Sequence, residues 1–228
     1  MRPEAAGAHF RCEGSMEREL RARGFRLVAG VDEVGRGALF GPVVAAAVVL
    51  APERPVRGLN DSKQLEPGRR ETLAARIRER AAAWAVAAVD AATIDQINIY
   101  QASRLAMRLA VNRLNPAPDF LLVDAMPIDL PLPQRALIKG DARCHAIAAA
   151  SIVAKVYRDA CMCAWDEVFP EYGLAAHKGY ATPEHCQALA ERGPTPLHRL
   201  SYEPVRICSR FPVDASSQLE LFAAAGVR

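Results

Sequence analysis

The chain has 228 residues, 51% of them hydrophobic, and a formal net charge of +3 at pH 7. That length and apolar content give one well-cored domain with terminal embellishments and exclude a disordered chain. A weak positive balance permits a nucleic-acid partner without demanding one. The longest apolar run, Ala38 to Ala51, is broken by Gly41-Pro42 and suits a buried strand rather than a membrane span.

Residues 1–24 read as a variable lead-in, partly helical around Met16 to Arg23, without the apolar core of a signal peptide. A strand follows from Arg26 to Asp32, and a second from Val43 to Leu50 is ended by Pro52 and Pro55. Asn60-Asp61-Ser62-Lys63 is a turn or helix start, Glu71 to Ala82 a helix, and Trp84 to Val89 a third strand. Three early strands with short connections predict an antiparallel meander. Thr93-Ile94-Asp95-Gln96 matches a capping box with Thr93 as cap, opening a helix that runs to Asn115-Pro116. A fourth strand, Phe120 to Val123, ends on Asp124, and Pro127 to Pro133 is a loop. Ala136 to Ile138 is a short fifth strand before Lys139-Gly140-Asp141, and a long helix covers Cys144 to Phe169. Thr182-Pro183 starts another helix, with proline at its first position. Past Phe211 the chain turns polar, and Ala215-Ser216-Ser217 reads as a tether.

The six cysteines show no Cys-x-x-Cys spacing, which argues for reduced cytosolic thiols and against a zinc site. Arginines concentrate at 18, 21, 23 and 26 and again at 69, 70, 76, 78 and 80. For the second group a solvated helix face explains the spacing as well as a phosphate track does.

The chemistry starts at Val31-Asp-Glu-Val-Gly-Arg-Gly37, where two adjacent carboxylates close a strand before a glycine turn. Neighbouring strand residues point to opposite faces, so two such acids do not ordinarily serve one core. Asp124 closes the fourth strand and Asp141 precedes the long helix. If strands one and four are parallel neighbours, the acids meet. Clustered carboxylates repel and raise one another's pKa unless cations compensate. With no cysteine or histidine among them, the compensating ions are hard divalent cations, Mg²⁺ or Mn²⁺. Two such ions about 3.5–4 Å apart suit phosphodiester hydrolysis.

At these residues the chain resembles bacterial ribonuclease HII, the type 2 ribonuclease H family. The matching blocks are Val31 to Gly37, Leu59-Asn-Asp-Ser-Lys63, Leu122-Val-Asp124, Ile138-Lys-Gly-Asp141, Ala149 to Asp159, His177-Lys-Gly-Tyr180 and His198-Arg-Leu-Ser-Tyr202. They occur in the family's order across about residues 26 to 206. The resemblance implies an α/β, RNase H-like fold: a mixed central sheet of about five strands flanked by helices, with a C-terminal helical extension. It divides the chain into a lead-in (1–24), a catalytic domain (25–210) and a tail (211–228). It implies a four-carboxylate site of Asp32, Glu33, Asp124 and Asp141 holding two ions. Asp159 is either a supporting acid or the ion-pair partner of Lys155, four residues earlier.

The implied activity is hydrolysis of the phosphodiester 5′ to a ribonucleotide embedded in, or joined to, DNA in a duplex. Gly35-Arg36-Gly37 resembles the motif whose backbone reads the 2′-OH, the group that separates RNA from DNA. Tyr180 matches the tyrosine that packs on the sugar of the next nucleotide, which must be DNA. Lys63, Ser151, Lys155 and Arg158 are phosphate-contact candidates, with a structural helix role nearly as strong for Ser151 and Arg158. His177 and His198 are not assigned to catalysis, and a structural hydrogen bond is the favoured role for His198. In the tail, Gln218, Leu219, Leu221 and Phe222 resemble the short peptide that docks on the bacterial sliding clamp; a terminal amphipathic helix is the competing explanation. The whole points to a cytoplasmic, monomeric enzyme with no membrane partner. A divalent-metal exonuclease and an inactive nucleic-acid binding module are the alternatives; the first gives no reason for Gly-Arg-Gly and Tyr180, the second none for the full set of acids.

Overall fold

The computed structural model describes residues 12–210. Five strands, β1 (Val28–Val34), β2 (Val43–Val49), β3 (Ala83–Val89), β4 (Phe120–Asp124) and β5 (Gln134–Leu137), form one sheet in the order β3-β2-β1-β4-β5. The helices are α1 (Ser15–Ala22), α2 (Pro67–Arg80), α3 (Ala91–Asn112), α4 (His145–Val168), α5 (Leu174–His177), α6 (Pro183–Arg192) and α7 (Glu203–Arg210), with three short 3₁₀ turns between them. β1, β2 and β3 pair antiparallel, while β1–β4 and β4–β5 pair parallel. The predicted meander is present, and the condition set for strands one and four, that they be parallel neighbours, is met.

Alternation along the strands sorts the core into two layers. Ala29, Val31, Val43, Ala45, Leu121 and Val123 face α3, where Ile94, Ala102, Ala106 and Met107 cover them. Val44, Ala46 and Val48 face the opposite way, against Leu73 and Ile77 of α2 and Ala149, Ile152 and Val153 of α4. All of β2 is buried, as its Val-Val-Ala-Ala-Ala-Val-Val sequence demands of a central strand covered on both faces. Small residues let the layers close tightly. At Gly30 a Cβ would lie 2.0 Å from the Ala146 carbonyl carbon, so β1 and α4 can touch only through glycine. A third core, built from Leu39, Phe40, Met162, Tyr172, Leu174, Leu189 and Val205, joins the C-terminal helices to the far end of α4.

Several boundaries differ from the sequence expectation, each for a local reason. α2 begins at Pro67 rather than Glu71, since proline fits the first helical position. The cap of α3 is Asp90, not Thr93: its carboxylate accepts the Thr93 N–H at 2.7 Å, so the predicted cap is the capped residue. α3 is kinked at Asn98 (φ 65°, ψ 164°), whose side chain accepts from Gln101 N and restarts the helix. β5 lies two residues before the expected start at Ala136, anchored by Gln134, whose amide bonds both N and O of Ile128. The lead-in is partly core. Leu20 packs in the cluster of Val28, Phe120 and Ile147, and Glu17 reaches the start of α4 to accept the Ala146 N–H at 2.7 Å.

Candidate active site

Val31 pairs with Val123 across the parallel strands, so Asp32 and Asp124 follow at the same level on adjacent strands. Both lie on the α4 side of the sheet, Asp32 only 5% exposed. The turn Gly140–Ala142, just before α4, brings Asp141 to the same place. These three, with Glu33, line a cleft of ≈ 620 Å³ whose other walls are Gly35, Arg36, Gly37, Ser62, Lys63, Ser151, Lys155 and Tyr180. The structure therefore gathers every candidate site residue of the described chain into one cleft, except Arg158.

The cleft is electrostatically strained. Burial pushes the Asp32 carboxyl well above the ordinary carboxylate range, and the charges of Glu33 and Asp124 push it further, against partial relief from the Ser151 hydroxyl. Glu33 is raised by burial, with Arg36 opposing. Asp124 is raised by burial, offset by the Gly140 N–H and the Lys63 charge. Asp141 is raised by burial and then by Asp61 and Asp124. Asp61 thus adds negative charge here, although its own carboxylate caps the Lys63 turn.

The residues present fit divalent cations. Each acid uses one oxygen locally: Asp32 accepts from Glu33 N at 2.7 Å, Asp124 from Gly140 N at 2.7 Å, Asp141 from Ala142 N at 2.9 Å and Glu33 from Arg36 at 3.3 Å. Among the described residues no three His, Cys, Asp or Glu side chains are drawn together tightly enough to enclose an ion in this arrangement. Yet Glu33 Oε2 is buried with no hydrogen-bond partner. A buried, unpaired carboxylate oxygen beside three more acids costs several kcal/mol unless a cation takes it up.

Arg158 is a correction. Its side chain is fully buried, and the guanidinium donates to the carbonyls of Pro42 (3.2 Å), Lys178 (2.8 Å) and Phe40 (3.1 Å). A cation so enclosed holds loops together and cannot meet a phosphate. Its stem also explains Gly35: at φ +91°, a Cβ there would lie 2.2 Å from Arg158 Nε. Gly35 is therefore glycine because of protein packing, whereas exposed Gly37, with nothing within 4 Å of a Cβ, leaves the backbone open to a ligand. Asp159 pairs with Lys155 at 2.8 Å and lies 4.0 Å from Arg70, away from the carboxylate cleft, which makes it a structural ion pair. Ser151 shares a 3.0 Å bond with Ser62 under the cleft.

Two residues escaped the sequence assignment although they sit in a quoted block. Arg199, fully buried, donates to the carbonyls of Arg36 (2.8 Å) and Gly41 (3.0 Å), and Tyr202 OH also bonds the Arg36 carbonyl. They hold the Gly-Arg-Gly turn from behind. Their only signal was their place in His198-Arg-Leu-Ser-Tyr202, which gives no hint of which segment they would touch.

Comparison with known proteins agrees with this construction. The family model for ribonuclease HII matches residues 29–205. The chain belongs to the ribonuclease HII family. A ribonuclease HII of Solibacter usitatus is 74% identical over 226 residues, covering 99% of both chains. Among solved structures, ribonuclease H2 from Pyrococcus horikoshii OT3 superposes with a TM-score of 0.72 at 28% identity, over 81% of this chain and 98% of that one. A ribonuclease HII solved in complex with PCNA, from Archaeoglobus fulgidus, gives 0.67 at 31% identity over 78% and 96%. The mixed sheet with its helical layers is the RNase H-like fold. Membership makes the chain a ribonuclease H, an endonuclease, of a metal-dependent family that acts on RNA/DNA hybrids.

Proposed function

We propose that Asp32, Glu33, Asp124 and Asp141 hold two divalent ions, Mg²⁺ or Mn²⁺, and that the cleft hydrolyses the phosphodiester 5′ to a ribonucleotide embedded in or joined to DNA in a duplex. The observation that carries this is the meeting of four pKa-raised carboxylates on three chain segments, with Glu33 Oε2 left unpaired. Bound ions would supply Lewis acidity for attack on phosphorus and neutralise the leaving oxygen, producing 5′-phosphate and 3′-OH ends.

The chain's own residues do the rest. Lys63 stands exposed at the cleft edge on an Asp61-capped turn, ready to meet a phosphate. Lys155 reaches the same cleft but is partly neutralised by Asp159, so it contributes less. The open backbone at Arg36-Gly37, braced by Arg199 and Tyr202, can approach a 2′-OH as closely as a hydrogen bond needs. Tyr180 presents its ring to the cleft above Arg158, at 5.3 Å from the guanidinium carbon, and packs on the following deoxyribose.

The tail motif Gln218, Leu219, Leu221 and Phe222 lies outside the described residues. The complex of the Archaeoglobus relative with PCNA supports a clamp as partner, and a tethered peptide would concentrate the enzyme on new DNA. No described helix is long and apolar enough to cross a membrane. A monomeric enzyme working in the cytoplasm on ribonucleotides left in DNA, and on RNA/DNA hybrids, fits this picture.

The test is a DNA duplex with one embedded ribonucleotide, offered with Mg²⁺ and Mn²⁺ in parallel. A single internal nick 5′ to the ribonucleotide supports the proposal. Stepwise trimming from an end, or binding without cutting, rejects it.

A further inference from the structure

Two backbone groups fix every proton in a chain of buried imidazoles. At one end Thr195 N–H donates to His198 Nδ1 at 3.0 Å, and the Thr195 hydroxyl, 2.9 Å from the same nitrogen, can donate as well; a nitrogen that accepts the backbone N–H leaves the proton of the neutral ring on Nε2. His198 Nε2 lies 3.1 Å from His185 Nε2 and donates to it. At the other end His185 Nδ1 lies 2.9 Å from the Tyr180 carbonyl oxygen, which can only accept. One assignment satisfies all three bonds: both rings neutral, His198 protonated on Nε2 and His185 on Nδ1. A second proton on His185 would set its Nε2–H against that of His198, and one on His198 would displace the Thr195 N–H from Nδ1. Both rings are almost completely buried, and burial holds their pKa values down, His185 to about 4 and His198 to about 3. Their titratable neighbours are His177, stacked 4.4 Å from His185, and Tyr172, 5.1 Å from His198. His177 is itself committed, accepting from Gly179 N and bonding the Tyr172 carbonyl.

The relay ends on the peptide that aims Tyr180. The Tyr180 carbonyl takes His185 and Thr182 N (2.9 Å), and the Tyr180 N–H donates to the His177 carbonyl. We infer that the His198–His185 relay is a positioning and specificity-determining element, holding Tyr180 where its ring favours a deoxyribose on the 3′ side of the cut ribonucleotide. This rests on the role given to Tyr180 above. The relay touches neither substrate nor acids, and acts through the Tyr180 main chain.

The experiment compares kcat/KM of the full chain on a duplex with one embedded ribonucleotide and on a continuous RNA/DNA hybrid. Tyr180→Ala and His185→Leu each lower the ratio of the two by about tenfold, because misplacing the ring acts on the chemical step. His185→Asn, whose amide can still donate to the Tyr180 carbonyl, keeps the ratio within about twofold of the original. An unchanged ratio in Tyr180→Ala overturns both the tyrosine role and the relay. A lowered ratio in Tyr180→Ala beside an unchanged one in folded His185→Leu overturns the relay alone, as do equal losses in the Leu and Asn variants. Should His185→Leu not fold, ¹⁵N imidazole spectra of the intact protein take its place, read together with the Asn variant. The relay requires opposite neutral tautomers, unchanged between about pH 5 and 8. A swapped tautomer, or a second proton gained by either ring in that interval, overturns it.

Discussion

At the sheet end, Asp32, Glu33, Asp124 and Asp141 share a cleft where burial raises all four carboxyls, neighbouring acids add to it, and one buried oxygen has no partner. Behind it, His185 and His198 are buried at least as deeply, and each ring nitrogen is bonded to a neighbour. The same cost of burying polarity is met in opposite ways. The histidines, like Arg158 with its three carbonyls, are satisfied by the protein and serve position. The acids are left short of positive charge, and serve something that must arrive. Here the histidines and Arg158, with their partners built in, brace the fold, whereas an unpaired oxygen inside a cluster of four acids marks a binding site.

That contrast breaks first at the acids. Asp32→Asn and Asp124→Asn should each reduce cleavage on the order of 10³-fold or more at saturating Mg²⁺, while the metal-free melting temperature holds or rises because repulsion is relieved. Near-normal turnover in either variant would remove the metal-site assignment. The brace should respond in the reverse sense. Arg158→Met strands the carbonyls of Phe40, Pro42 and Lys178 and should cost about 3 kcal/mol or more of stability in denaturant titration. If it costs nothing, Arg158 is no brace and the phosphate role returns. Gly35→Ala, strained at φ +91° and pressed on Arg158, should lose about 1–3 kcal/mol and cleavage with it. Alanine tolerated there would mean the turn moves freely. The smallest intrinsic effect belongs to the tail: Leu221→Ala with Phe222→Ala should abolish clamp binding and leave nicking of a short duplex unchanged. Retained clamp affinity would reject that motif.

The sequence showed the site better than its supports. The antiparallel meander follows from strand patterns with short connections, and the four candidate acids from short motifs at or just beyond strand ends; the parallel β1–β4 pair was only a condition, which the structure meets. What stayed hidden is carried by contacts distant in sequence. Arg158 reads as a basic residue on a helix, and only the enclosing loops at Phe40, Pro42 and Lys178 make it a buried brace. Arg199 reaches Arg36, 163 positions away. His185 was not singled out, since its neighbours His177 and His198 come from other segments. The misplaced α3 cap is different: Asp90 and Thr93 are both good cap residues, and the end of β3 at Val89 decides between them.

The central claim, that the four acids are poised for cations, is tested most directly by the melting temperature of the intact chain against pH, with and without Mn²⁺. A carboxyl raised in the folded state binds more protons there than when unfolded. These carboxyls therefore remove metal-free stability as pH rises from about 4, the unfolded value, through the raised values, while His185 and His198, held down by burial, add stability over the same window. Bound Mn²⁺ holds the acids ionised, so the stabilisation by Mn²⁺ should grow as pH rises through that window, and Asp32→Asn should weaken it. A melting temperature that does not respond to Mn²⁺ at any pH, or that responds as strongly in Asp32→Asn as in the intact chain, would contradict the account.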